Sequence, residues 1–163
     1  MCPSNDMPSS VGKIVLNLQS LEFALRLVLD ELRGVRDEGE TQVDFMNLVV
    51  GEWVPENYFT NYDALNLLIR KVNSELKSRG IAEQIDSSIV ELRDSLAHGR
   101  VLSSDPKGPY RILKFSKPKD GKVQVVVSID ITSDWLSQQI MRTESEVRRL
   151  INLGRNLGLK CFY

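Results

Sequence analysis

Residues 10–34 read SVGKIVLNLQSLEFALRLVLDELRG, and the spacing of their apolar side chains decides the fold expectation. Val11, Ile14, Val15, Leu18, Leu21, Leu25, Val28, Leu29 and Leu32 recur at intervals of three and four, which marks an amphipathic helix. Ser9 or Ser10 supplies an N-cap, and Gly34 lies just past the end. Leu16, Phe23 and Leu27 form a second stripe, which predicts packing on two sides. The helix is expected over about 10–33.

The same spacing recurs downstream. Tyr62, Leu65, Ile69, Val72 and Leu76 predict a helix over about 61–79, capped by Asn61 and stopped at Gly80. Ile85, Ile89, Leu92 and Leu96 predict another over about 84–98, ending at Gly99. Leu136, Ile140, Val147, Leu150, Ile151 and Leu157 predict a fourth over about 133–157, started by Ser133 or Asp134. Between the last two, Arg111–Ser116 and Lys122–Asp130 are rich in β-formers, and Lys117–Gly121 supplies turn chemistry. Residues 34–60 are too long for a structureless loop, so a short helix is expected near 42–50. The reading is a single domain over residues 1–163, mainly all-α: a four-helix bundle with a β-hairpin inserted around 110–130.

Composition bounds the function. A chain of 163 residues with 42% hydrophobic and 26% charged side chains can bury one core without staples. No apolar run is long enough for a membrane span. The N-terminus lacks a basic segment followed by an apolar stretch, so a cytoplasmic protein with reduced thiols at Cys2 and Cys161 is expected. One histidine and two terminal cysteines argue against a zinc site, and neither a metal nor a cofactor is expected. The charge is uneven. Residues 1–61 hold ten acidic and four basic side chains, whereas 99–122 hold seven basic and two acidic. Lysines on edge strands prevent sheet aggregation. The same segment also suits phosphate contact, through Arg100, Lys107, Arg111 and Lys114.

The chemistry-bearing stretch is Glu91–Arg100. Leu92 and Leu96 face the core, and Arg93 shares a neighbouring face with Ala97. His98 stands about 140° round an ideal helix from Arg93. The two side chains converge if the last turn loosens, which a glycine C-cap at Gly99 permits. The negative end of the helix dipole adjoins His98. Arginine can hold the non-bridging oxygens of a phosphate while histidine moves a proton.

Arg93, Asp94, the variable Ser95–Ala97 and His98, followed by Gly99, resemble the hallmark of the HEPN superfamily (higher eukaryotes and prokaryotes nucleotide-binding domains). Helix 1, through Ile14–Leu25 with Leu21-Glu22, is weakly similar to the family's opening helix. The resemblance implies a HEPN-like bundle and metal-independent RNA cleavage by a homodimer of the toxin or defence type. Two copies of the motif would form one composite site. It implies that Arg93 binds the scissile phosphate, that His98 transfers protons, and that Asp94 orients its neighbours, although asparagine is commoner there. Glu22 is a candidate partner for Arg93. Many members do not cleave RNA, so the alternative is a non-catalytic dimeric adaptor for a protein or nucleotide. The partners expected are a second copy, RNA, and an antitoxin or other protein.

Other motifs carry less. Trp53, Tyr58, Phe59 and Tyr62 either stack bases or cover one end of the bundle. Ser103-Ser104-Asp105 lacks a second histidine for a triad, and no Gly-x-x-x-x-Gly-Lys loop is present.

Overall fold

The structure, a computed structural model, describes residues 7–33, 47–105 and 108–162. In chain order its elements are α1 (Met7–Arg33), α2 (Leu65–Ser78), α3 (Ile89–His98), β1 (Arg100–Ser103), β2 (Tyr110–Phe115), β3 (Val125–Ile131) and α4 (Ser133–Asn156). A 3-10 turn at Lys160–Phe162 follows. Of the short helix expected near 42–50, residues 42–46 lie outside the described residues, and 47–50 form bends and turns.

The fold is mixed α/β, which corrects the expectation of a mainly all-α four-helix bundle. Three antiparallel strands form one sheet in the order β1-β2-β3. The hairpin is two of them. Asp120 and Gly121 take positive φ of 50° and 73° between Lys119 and Lys122, whose backbones exchange hydrogen bonds of 2.8 and 3.0 Å. This is the mirror-image turn that Asp-Gly favours and that matches strand twist. The third strand, β1, pairs Arg100 with Leu113 and Ser103 with Tyr110. Four residues are too few to display a period of two, so no local pattern marks Arg100–Ser103 as a strand.

The chain divides into two compact units. The first holds residues 7–21 and 86–149: the opening half of α1, then α3, the sheet and most of α4. Ile14, Leu18, Leu21, Ile89, Ile112, Ile131 and Leu136 form its core, none more than 8% exposed. The buried Thr143 hydroxyl accepts a 2.9 Å bond from Asn17 Nδ2, tying α4 to α1. The cap of α4 is Thr132, whose Oγ1 accepts the Trp135 N–H at 3.1 Å, rather than Ser133 or Asp134.

The second unit holds residues 22–85 and 150–162 among those described. Leu25, Val28, Leu29, Leu68, Ile69, Val72, Leu76 and Leu150 are its most buried apolar side chains. Helix α2 starts at Leu65, not near 61, because Asn61 belongs to a turn in which its Oδ1 accepts the Asp63 N–H at 3.0 Å. Gly80, at φ 72°, closes α2 as the Ile81 N–H reaches back to the Leu76 carbonyl. On α1, Leu16 and Phe23 are more than half exposed, so the second stripe is not a second buried face.

Asp86, just before α3, couples the first unit to pH. Its Oδ1 accepts the Ser88 hydroxyl and N–H at 2.6 and 2.9 Å, and its Oδ2 accepts Arg142 Nη2 at 2.9 Å. These bonds, the Ser88 hydroxyl first, pull the carboxyl from the usual 3.8 down to about 2. A depressed folded pKa stabilises above the unfolded value and is lost as pH falls through the folded one. The window is therefore from about pH 4 down to about pH 2. The side chain is 41% exposed, so solvent screens the effect to about 1 kcal/mol or less. Asp86→Asn is expected to lower the melting temperature at pH 7 and to converge on the parent by pH 2. A gap that persists unchanged to pH 2 contradicts this.

Candidate functional site

Helix α3 ends where the sheet begins, and this junction carries most of the residues singled out in the sequence. Ile89, Leu92 and Ser95 are buried along α3, which leaves Arg93 and Asp94 half-exposed and His98 exposed. The Ser95 hydroxyl donates to the Glu91 carbonyl at 2.7 Å, so its burial leaves no unpaired polar atom.

Gly99 differs from the expectation. It is extended, at φ −72° and ψ 157°, and α3 stays α-helical through His98. No loosened last turn draws Arg93 and His98 together, and on an ideal helix they leave the axis about 140° apart. Glycine is needed instead for close packing. A Cβ here lies 2.2 Å from the Ser95 carbonyl oxygen and 2.5 Å from Ile112 Cγ2. Strand β2 thus meets the end of α3 with no room for a side chain.

That close approach brings a lysine to the helix. Lys114 lies two residues beyond the buried Ile112, hence on the same face of the sheet. Its Nζ is 3.8 Å from Asp94 Oδ2, while Asp94 Oδ1 is 3.3 Å from Arg93 Nη1. One carboxylate therefore sits between two cations. The sequence hides this link, since nothing local relates residue 94 to residue 114. The His98 imidazole makes no hydrogen bond or ion pair with the described residues.

The other basic residues lie elsewhere. The pairs Arg100–Leu113 and Leu102–Arg111 place Arg100 and Arg111 on the opposite face from Lys114. The Arg100 guanidinium stands 4.9 Å over the Phe115 ring, a cation–π distance. Arg111 Nε donates to Asp130 Oδ1 at 2.6 Å, and that bond holds the Asp130 carboxyl below its usual range. Lys107 lies outside the described residues. Of the three described, Arg100 and Arg111 share a face of the sheet that Lys114 does not.

Glu22 accepts Arg26 Nη2 at 3.0 Å, and Arg93 is held by Asp94. The aromatic residues of 53–62 are not one cluster. Trp53 and Tyr62 are fully exposed at 99% and 103%, Phe59 packs edge-on against Phe23 at 5.3 Å, and Lys71 lies over the Tyr58 ring. Among the described residues, no three His, Cys, Asp or Glu side chains are grouped to hold a metal ion. No described helix is long and apolar enough to cross a membrane.

The structure brings Arg93, Asp94 and Lys114 together and leaves His98 apart from them, exposed on the same helix. Arg93 and Lys114 supply two positive charges, and His98 supplies a group that both donates and accepts. No protein-family model matches the chain, and neither a curated protein nor a solved structure does.

Proposed function

We propose that the chain is a metal-independent endoribonuclease of the toxin or defence type, acting as a homodimer in the cytoplasm. The observation that supports it is His98: exposed, unpartnered among the described residues, and on the helix that carries Arg93. The His98 ring is open to solvent and no described side chain occupies it, so a substrate can reach it. Arg93 and Lys114 would bind the scissile phosphate, which displaces Asp94 from both cations. Asp94 then holds the empty site together and orients the two basic chains.

His98 would move the proton as the RNA 2′-hydroxyl attacks phosphorus. The bond formed is 2′-oxygen to phosphorus, and the bond broken is phosphorus to 5′-oxygen, which leaves with a proton. One chain offers a single histidine, whereas in-line transfer uses a base and an acid. A second copy supplies the other. The resemblance of Arg93–His98 to the HEPN motif supports the same reading. The test is purified protein with labelled single-stranded RNA and DNA in excess EDTA. RNA should be cut and DNA spared. No cleavage of any RNA moves the assignment to the non-catalytic dimeric adaptor.

A further inference from the structure

The hairpin tip between β2 and β3 carries three positive charges that the fold does not use. Lys117, Lys119 and Lys122 are exposed, and their ammonium groups make no hydrogen bond or ion pair with the described residues. They form one cluster. Lys119 and Lys122 are bridge partners that exchange both backbone bonds, so their Cα atoms face each other at about 5.5 Å with both side chains on one face. Lys117 is two residues from Lys119, within about 7 Å by chain reach. Asp120, the one acidic residue of 116–124, pairs with none of the three. The tip is also fixed. Besides the Asp120-Gly121 turn, the Ser116 N–H donates to the Gln124 carbonyl at 2.8 Å, and the Gln124 N–H donates to the Ser116 hydroxyl at 3.0 Å. A fixed site binds with less loss of entropy than a loose one.

Protection of sheet edges does not account for these lysines. The outer strand β3, Val125–Ile131, carries none, and the three stand beyond the ends of the β2–β3 ladder. Like charges directly opposite on a hairpin are unfavourable, so the Lys119–Lys122 pair costs local stability unless an anion lies over it. The basic side chains of the strands themselves are engaged: Arg111 with Asp130, Lys114 with Asp94, and Arg100 over the Phe115 ring. The free positive charge of the sheet is at the tip.

What the tip meets follows from its place on the chain. Lys117 is three residues past Lys114, hence at most about 11 Å away. Both belong to the same compact unit as α3. A phosphate held at Arg93 and Lys114 leaves its neighbours along a nucleic-acid strand within reach of the tip. Lysines are point charges without a fork, which suits a phosphate backbone of any sequence.

We infer that the Lys117–Lys122 tip is a sequence-independent contact for the phosphate backbone of an RNA strand running out from the Arg93–Lys114 site. The inference rests on the ribonuclease reading for where the strand lies. The tip binds away from the scissile bond and takes no part in the chemistry.

The test is fluorescence anisotropy with a labelled single-stranded RNA methylated at every 2′-oxygen, which attack by a 2′-hydroxyl cannot cut. Lys117→Ala, Lys119→Ala and Lys122→Ala together should raise Kd about tenfold or more in low salt and flatten the log–log salt slope by about 2, the loss of three single-strand phosphate contacts. Lys→Gln at the same positions should do the same, and Lys→Arg should keep the parent's affinity because the charge is kept. The side chains are exposed, so an unchanged urea midpoint verifies folding. With an RNA that the parent cuts, the alanine variant should raise KM more than it lowers kcat, as loss of uniform binding does. If no RNA is cut, the ribonuclease reading fails, and the methylated probe still judges the tip. A Kd and salt slope equal to the parent's in the neutral variants overturn the inference. So does a parent that ignores the probe, and one that instead binds vesicles of phosphatidylserine and phosphatidylcholine through these lysines makes the tip a membrane contact.

Discussion

Replacing His98 with alanine is expected to lower RNA cleavage by about 100-fold or more and leave the fold intact. General acid–base groups supply ~10²–10⁴-fold. The structural cost is small because the imidazole makes no bond among the described residues and loses only a favourable position at the helix end, ~0.3–1 kcal/mol. Arg93→Ala should reduce cleavage by a similar factor, as removal of a charge-stabilising donor does. Arg93→Lys should rescue poorly, because an ammonium cannot hold two phosphate oxygens in a fork. Rates from single-turnover cleavage, read beside urea unfolding, separate these effects. A His98→Ala protein that cuts at the parent rate removes His98 from the chemistry. One that unfolds as readily as a core variant makes His98 structural.

The second large effect falls one residue later. Gly99→Ala should destabilise the first unit by about 1–3 kcal/mol or more. The new methyl meets the Ser95 carbonyl at 2.2 Å, and a backbone atom inside a helix cannot rotate away. Ile112 Cγ2, at 2.5 Å, belongs to a side chain that is 1% exposed and equally confined. Relief requires β2 to draw back from α3, which pulls Lys114 away from Asp94. The variant should therefore lose activity as well as stability. Equilibrium urea unfolding tests this, and a midpoint equal to the parent's contradicts the packing argument.

Glycine 99 also shows where sequence reading stops. A glycine after a histidine and a fading apolar stripe is a helix end, and α3 does end there. Yet the usual reason, a left-handed cap, is not the reason here. The glycine answers to Ile112, thirteen positions away, and no local pattern reports that contact. Tyr62 teaches the same lesson. It keeps the spacing of Leu65, Ile69 and Val72, so periodicity counts it in the helix. Arg26, 35 residues earlier, instead bonds Asn61 and holds the turn that starts α2 later.

Long stripes and special turns were legible because their physics is local. The Lys119–Lys122 turn needs only Asp-Gly between two β-rich runs, and α4 needs only its repeated apolar face. Strand β1 was not legible, since four residues acquire strand character only by pairing with β2. The candidate site divides the same way. Arg93, Asp94 and His98 stand out as a motif along one helix. The reach of Lys114 to Asp94, and the placing of Arg100 and Arg111 on the other face, follow from the sheet register alone.

The central claim is that the RNA's own 2′-hydroxyl is the nucleophile and that the protein supplies only charge and protons. The most direct measurement uses a labelled RNA cut at a known position, beside the same RNA with a single 2′-deoxy nucleotide on the 5′ side of that bond, both in excess EDTA. The account predicts a 2′,3′-cyclic phosphate and a 5′-hydroxyl from the first, and no cut at that bond in the second. Cleavage of the deoxy-substituted bond, or products bearing a 5′-phosphate, contradicts it.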